Sequence, residues 1–482
     1  MKKLSLIELR NFIVLLYVSL SVLMPIQAKT SVKQTDNLVR QRISIDEGWL
    51  FYKYDSAANA DNLIYDVRPE VSGSNEYKVA DAKPTESVEI TVTKEVLKSW
   101  ILPSANAFIK DPKKRFIRPE GNPGSDFPFV QSNFNDSSWE KVNLPHDWAI
   151  KGPFQTGPNP EVSGGMGRLP INGIVWYRKK LDIPAVDAGK SIFLDIDGAM
   201  SYAMVWLNGN LVGGWPYGYN SWRLDLTPYI VSGGVNQLAI RLDNPNNSSR
   251  WYPGGGIYRN VWLTKTNPVH IGQYGTYIIS KAVSKLSATI DLKVSIDNDS
   301  KTAADVKVNT QIFELDSKGI KMGKAVSAFK SSNITITAGL TAGVENSIDL
   351  KNPRLWGPLP TQTPNLYIAV TSVWQNGKQI DLYETRFGIR SMEFNPDKGF
   401  LINGEHIFLK GVNQHHDLGA IGAAFNTRAA ERQLEILYEM GCNAIRFAHN
   451  PPAPELLELT DRMGFLVIDE IFDSWERKKN GP

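Results

Sequence analysis

Cysteine is nearly absent: the 482 residues contain one, Cys442. No disulfide can form within the chain, so its stability must come from large apolar cores rather than covalent staples. Cys442 lies between Gly441 and Asn443 in an apolar pattern and reads as a small buried residue rather than a nucleophile. Net charge is scarce too. Lys and Arg number 53 and Asp and Glu 50, a formal charge of +3 with no long basic run. Nucleic acid is therefore not an expected partner. Hydrophobic residues make up 42% and charged residues 21%, which excludes a disordered chain. The length exceeds what a single core organises and suggests about three domains.

The N-terminus holds the one long apolar run. Lys2, Lys3 and Arg10 precede and flank the uncharged stretch Phe12 to Leu23, and Ile26-Gln27-Ala28 offers a cleavage site. Residues 1–28 read as a signal peptide, with an uncleaved anchor as the alternative. The expected location is periplasmic or extracellular, with no membrane contact beyond the signal. A lipoprotein is not expected, because no cysteine follows the signal.

Behind the signal the chain divides into three regions. Residues 29–266 read as an all-β sandwich or jelly roll. Asn208-Gly209 between two apolar runs is a strong hairpin signal, since both turn positions need positive φ. Tyr177, Leu181 and Ile183 alternate with polar residues as a half-buried strand does. The stretch from about 55 to 125, rich in Asp, Asn, Ser, Pro and Lys, reads as an insertion with only local structure. Residues 267–390 carry the alternating Ile290, Leu292, Val294 and Ile296, then Val306, Val308, Ile334 and Ile336, and a second Asn-Gly pair at 376–377. They fit an immunoglobulin-like sandwich acting as a spacer.

Residues 391–482 change character. A hairpin at Asn403-Gly404 leads into alternating elements: strand 406–412, helix 427–440, strand 443–448, helix 454–463 and strand 465–470. Asn426 or Thr427 caps the first helix and Gly441 stops it; Pro454 opens the second and Gly464 closes it. The apolar run of the third strand suggests burial on both faces of a parallel sheet. Repeated β-α units mean a β/α barrel or an open doubly wound sheet, and no Gly-rich phosphate loop follows the first strand. His415, His416 and Asp417 follow the first strand, His449 and Asn450 the second, and Asp469 and Glu470 end the third, so all lie at strand C-termini, where a β/α barrel builds its active site.

These residues resemble glycoside hydrolase family 2 over nearly the whole mature length. Asp136-Ser137-Ser138-Trp139, Leu144-Pro145-His146-Asp147-Trp148, Val205 to Gly209 and Ser249 to Arg259 match its jelly-roll motifs. Asn443 to Pro452, continuing to Asp461-Arg462-Met463-Gly464 and on to Glu470, is the most specific match. The resemblance implies a multidomain, mostly β protein: a jelly roll, an immunoglobulin-like sandwich and the first three β/α units of a (β/α)8 barrel. Within the family, Gly411 to Gly419 is most similar to β-galactosidases, with β-glucuronidases and β-mannosidases as alternatives.

The resemblance further implies a retaining exo-β-glycosidase acting on terminal β-galactosides through two glutamates, an acid/base and a nucleophile. Both would fall beyond Pro482, so no catalytic residue is assigned here and the chain is expected to be an inactive fragment. Asp469 and Glu470, as strand neighbours, point to opposite faces and cannot substitute as a converging pair. A secreted, non-catalytic carbohydrate-binding protein with a remnant barrel is the competing reading. Three barrel strands leave an open edge and exposed apolar faces, which favours the fragment. The implied substrate-binding residues are His415, His449, Arg446, Asp469, Glu470, Arg250 and Trp251. An imidazole can donate from one nitrogen and accept at the other, which suits a sugar hydroxyl. Arg446 resembles the arginine that keeps the nucleophile ionised, an ion pair with Asp469 or Glu470 being the alternative. Arg250 and Trp251 could equally pack domains together, and His416 could touch sugar or sit in structure. Some family members bind Mg²⁺ through a Glu and a His soon after the Asp-Glu pair. The matching positions here are Ser474 and Glu476, so no metal and no cofactor are expected. Oligomeric state cannot be read.

Overall fold

The computed structural model describes residues 39–66, 94–102, 106, 109, 111–156, 168–245 and 251–472. The signal-peptide reading at 1–28, Arg250, Ser474 and Glu476 lie outside the described residues.

Turn chemistry punctuates all three regions. The Asn-Gly pairs at 208–209, 376–377 and 403–404 each have both residues at positive φ, with the asparagines between 51° and 53°. Each closes a tight antiparallel hairpin, as the primed turn requires.

Two antiparallel sheets face each other in the first domain. One has the order Arg40–Ser44, Val261–Thr266, Ser191–Ile196, Trp222–Asp225. The other runs Glu140–Val142, Trp49–Lys53, Gly173–Ile183, Gly234–Asn244, Ala203–Leu207, Asn210–Trp215. Inward residues such as Val175, Tyr177, Ile240 and Leu194 form the core between them. Simple alternation fails in the central strands, however, because Trp176 and Arg178 on the other face are also fully buried.

The 55–125 insertion and the 127–139 stretch that follows it are the reason. The described parts of the insertion have only local structure: short 3-10 turns and a two-residue parallel pairing of Leu63–Ile64 with Glu95–Val96. Yet Leu63, Tyr65, Leu97 and Ile101 join Trp176, Met204, Trp206 and Ala239 in a second apolar core on the outer face of the six-stranded sheet. The insertion and that stretch therefore turn a solvent face into an interior. The insertion also delivers Asp61, whose carboxylate accepts from Arg241 Nε at 2.8 Å and Trp176 Nε1 at 2.9 Å. Both members of that ion pair are fully buried.

The jelly-roll sequence motif around Asp136 serves the same layer. Asp136 accepts from Arg178 Nε at 2.7 Å, and Arg178 also donates to the Phe129 carbonyl.

The second domain packs a sheet of Val269–Lys281, Ser287–Asn298 and Thr341–Lys351 on one built from Ser327–Ala328, Ala304–Glu314, Leu366–Gln375 and Lys378–Gly388, with Ser332–Ile336 beside it. Ile290, Leu292, Val294 and Ile296 all face the core, so a strict period of two places one whole side of that strand inside. Arg40 of the first domain pairs with the buried Asp381 through two bonds of 2.9 and 2.8 Å. Trp356 donates to the Asp461 carbonyl at 2.8 Å and ties this domain to the third.

In the third region a small antiparallel sheet, Met392–Asn395, Gly399–Ile402 and Glu405–His406, precedes three parallel strands, Gly411–Gln414, Ala444–Phe447 and Leu466–Asp469. The expected strand 406–412 is thus two elements, since the chain leaves the small sheet after His406 and joins the parallel one at Gly411. Helices Thr427–Glu439 and Pro454–Met463 link the parallel strands. Asn426 caps the first by accepting from Ala429 N at 2.9 Å, and Gly464 ends the second in a left-handed conformation.

Ile445, Phe447 and Val467 pack on these helices. The other face carries Asn413, Arg446 and Ile468 in one cross-strand row. Burial on both faces does not hold for the third strand: Ile468 is 59% exposed. Among the described residues no further strand covers that row.

Candidate functional site

The row of inward side chains leads to the site. Arg446 and Glu470 lie on the same face, two registers apart, and the guanidinium grips the carboxylate through Nε at 2.8 Å and Nη2 at 2.6 Å. Its Nη1 reaches Asn413 Oδ1 at 3.3 Å. His449 places Nδ1 3.3 Å from Glu470 Oε2 and 3.4 Å from Arg446 Nη2. All three side chains keep part of their surface open to solvent.

His415, at the end of the first strand, stands with its ring centroid 5.4 Å from that of His449. Burial, with His449 and Arg446 nearby, lowers the His415 pKa below its usual value, partly opposed by Asp417. His415 therefore stays neutral at neutral pH, with one nitrogen able to donate and the other to accept.

Trp251 completes the cluster from the first domain. Its ring lies 5.0 Å from His449 and 5.7 Å from His415, and its indole nitrogen donates to Tyr219 at 3.1 Å. Arg250 beside it is outside the described residues.

The loop carrying Trp251 reaches this far because of Pro253-Gly254-Gly255-Gly256. A Cβ on Gly254 would come within 2.4 Å of Ala423, and one on Gly256 within 2.4 Å of the Tyr177 hydroxyl. Only glycine lets the backbone pass that close.

Asp147 clamps the arrangement. Its buried carboxylate accepts from Ala149 N and Gly255 N, each at 3.0 Å, from the Tyr252 hydroxyl at 2.6 Å and from Ala423 N at 2.8 Å. One side chain thus holds the Trp251 loop and the loop after His416 together. Arg259 adds a second clasp, donating to Tyr219 O at 2.6 Å and to Pro451 O at 2.7 Å.

His416 belongs to this clasp. It is partly buried, edge-on to Tyr219 and beside Tyr258, and its Nε2 donates to the Pro253 carbonyl at 3.1 Å. Burial first, then Arg259, push its pKa down to about 3. The unfolded imidazole titrates near 6.5, so the unfolded chain binds a proton that the folded one refuses. The stability this histidine contributes is complete above pH 6.5 and falls as the pH drops towards 3. Replacing His416 by glutamine removes one such proton. In urea titrations between pH 6 and 4, the variant is expected to lose less stability than the wild type by up to about 1.4 kcal/mol per pH unit. Parallel slopes would contradict the assignment.

Asp469 stands apart. It follows the opposite parity of the strand, and among the described residues no hydrogen bond joins it to Arg446, His415 or His449. Asn413 was not singled out from the sequence. Its signal was available in register: it lies directly across from Arg446 in the adjacent strand. No group of three or more His, Cys, Asp or Glu side chains suited to a metal ion occurs among the described residues.

Two β-sandwiches set before a parallel β/α unit, with a sandwich loop reaching into the strand ends, define a modular protein of the sandwich–sandwich–barrel class. Three models of one family match in that order: the galactose-binding-like domain of glycosyl hydrolase family 2 at 172–252, the family 2 domain at 269–390 and the family 2 TIM-barrel domain at 395–474. The chain belongs to glycoside hydrolase family 2.

The β-galactosidase BoGH2A of Bacteroides ovatus is 44% identical over 357 residues, which is 74% of this chain and 40% of that protein. A β-glucuronidase of Formosa agariphila is 30% identical over 71% of this chain and 37% of its own length. A solved family 2 structure from Bacteroides cellulosilyticus superposes with a TM-score of 0.69 at 29% identity, covering 92% of this chain and 47% of that one. The chain spans less than half the length of these relatives.

Proposed function

We propose that the protein is a retaining exo-β-glycosidase, and specifically a β-galactosidase, of which residues 39–472 supply the sugar-positioning side. The observation that carries this reading is the Arg446–Glu470–His449 network facing His415 and Trp251. It offers acceptors and donors for hydroxyl groups beside an indole face, set at strand C-termini where barrel enzymes act. Retaining hydrolysis needs two carboxyl groups about 5–5.5 Å apart, one donating a proton to the leaving oxygen and one attacking the anomeric carbon. Glu470 is already engaged by Arg446, and Asp469 faces away from it. The reacting pair is therefore assigned to barrel residues outside those described, and Arg446 to holding a neighbouring carboxylate in its ionised form.

The 44% identity to a β-galactosidase favours a galactoside, while the β-glucuronidase relatives keep a uronide in view. The test is turnover by the full-length protein, barrel included, on aryl β-galactoside, β-glucuronide and β-mannoside. The expected result is the highest kcat/KM on the galactoside, with retention of anomeric configuration, and no turnover by 1–482 alone. Activity of the 482-residue chain would overturn the assignment of the carboxylates. A preference for the glucuronide would replace the substrate.

A further inference from the structure

Behind the candidate site, where the first domain meets the β/α region, lies a cavity of about 20 Å³. Tyr258 and Arg259 wall it from one side and Gln414, His416, Gln433 and Asn450 from the other. Three of its lining residues each carry a buried polar atom with no hydrogen-bond partner among the described residues: Gln414 Oε1, His416 Nδ1 and Asn450 Nδ2. Their roles are settled by what the same side chains do elsewhere. His416 spends its proton on the Pro253 carbonyl through Nε2, so Nδ1 is a bare acceptor. Gln414 donates through Nε2 to Gln433 Oε1 at 2.7 Å, so its Oε1 accepts. Asn450 presents its amide as a donor.

Two acceptors and one donor around a space of this size define their ligand by chemistry. It has a single heavy atom, two protons to give and a lone pair to receive. A cation would oppose the Asn450 amide and the Arg259 guanidinium in the lining, and an anion would oppose the Gln414 oxygen and the His416 lone pair. One water needs roughly 10–15 Å³ of such space, and buried waters make about three hydrogen bonds. We infer that this cavity is a binding site for one ordered water that bridges Gln414, His416 and Asn450.

The placement gives the water a task. Gln414 immediately precedes His415, and Asn450 immediately follows His449. The water ties the ends of two parallel strands from behind, while the two imidazoles stand 5.4 Å apart in front. Gln414, His416 and Asn450 are thus positioning residues, acting on the spacing of His415 and His449. This consequence for sugar affinity rests on the function proposed above, whereas the water itself does not.

The experiment is a crystal structure of the full-length protein at a resolution that orders solvent, paired with an Asn450→Leu variant. The expected result is one solvent peak about 2.7–3.2 Å from all three atoms. In the variant the peak disappears and the dissociation constant for free galactose rises roughly two- to tenfold, with kcat changed less than KM. A dry cavity, a direct Gln414–Asn450 bond, or a heavier atom with more ligands overturns the inference, and the wild-type crystal decides this even if the variant fails to fold. Should the peak be present while the wild type binds none of the sugars, the water stands and the proposed function falls.

Discussion

Asp61→Ala is expected to destabilise the first domain by about 3–5 kcal/mol, the cost of leaving a buried charge without its partner. Arg241 has no exposed side-chain surface, and its Nη1 and Nη2 have no hydrogen-bond partner among the described residues. Asp61, 180 residues away, supplies its one close ion pair among the described residues at 2.8 Å, and Asp243 is 3.9 Å off. Taking the carboxylate away strands the guanidinium and also leaves Trp176 Nε1 without its acceptor. Urea titration followed by tryptophan fluorescence reports this directly, because Trp176 and Trp206 lie in the same layer. The double variant Asp61→Leu with Arg241→Met separates causes. Apolar groups of similar volume can replace a buried pair at little cost, so most of the lost stability is expected to return. A loss under about 1 kcal/mol in the single variant would mean that the insertion does not hold the sheet through this pair.

Glu470→Gln carries the largest expected effect on function. The carboxylate takes two bonds from Arg446 and faces His449, so the neutral amide unties three side chains together. Hydrogen bonds to charged groups contribute about 1.5–3 kcal/mol each. In the full-length protein kcat/KM on an aryl galactoside is expected to fall by about 10²-fold or more. Asp469→Asn, one residue earlier but on the other face, is expected to change it by no more than about threefold. Circular dichroism and thermal melting check that both variants keep their fold. Equal losses at the two positions would refute the division of faces that underlies the site.

His415 and His449 were legible as candidates because each follows a predicted strand and Glu470 because it ends one, a parallel β/α unit gathering its strand ends at one edge, whereas Arg446, inside its strand, was marked only by the family motif. Which of the Asp469–Glu470 pair joins them was legible only as a parity, not as a side. Register with Asn413 and Arg446 decides it for Glu470. Trp251 came from a sequence motif; its contact with both imidazoles depends on a glycine run that lets one domain press against another. His416 looked equivalent to His415, yet neighbours in sequence met different surroundings, one against His449 and Trp251 and one between Tyr219 and Tyr258.

By itself the sequence determined the order of two sandwiches and a β/α unit, the Asn-Gly turns, the helix caps and the single face of the Ile290–Ile296 strand. Each of these is written within a few consecutive residues, in a period or in the φ that a turn demands. Tertiary structure alone decided what the insertion covers, that Asp61 meets Arg241, that Asp147 clamps a loop 276 residues away, and that three residues with an unpartnered buried polar atom line one small cavity. Those facts arise where distant segments are forced together, and a buried charge or amide takes its partner from whatever the packing brings near, which no local spacing encodes.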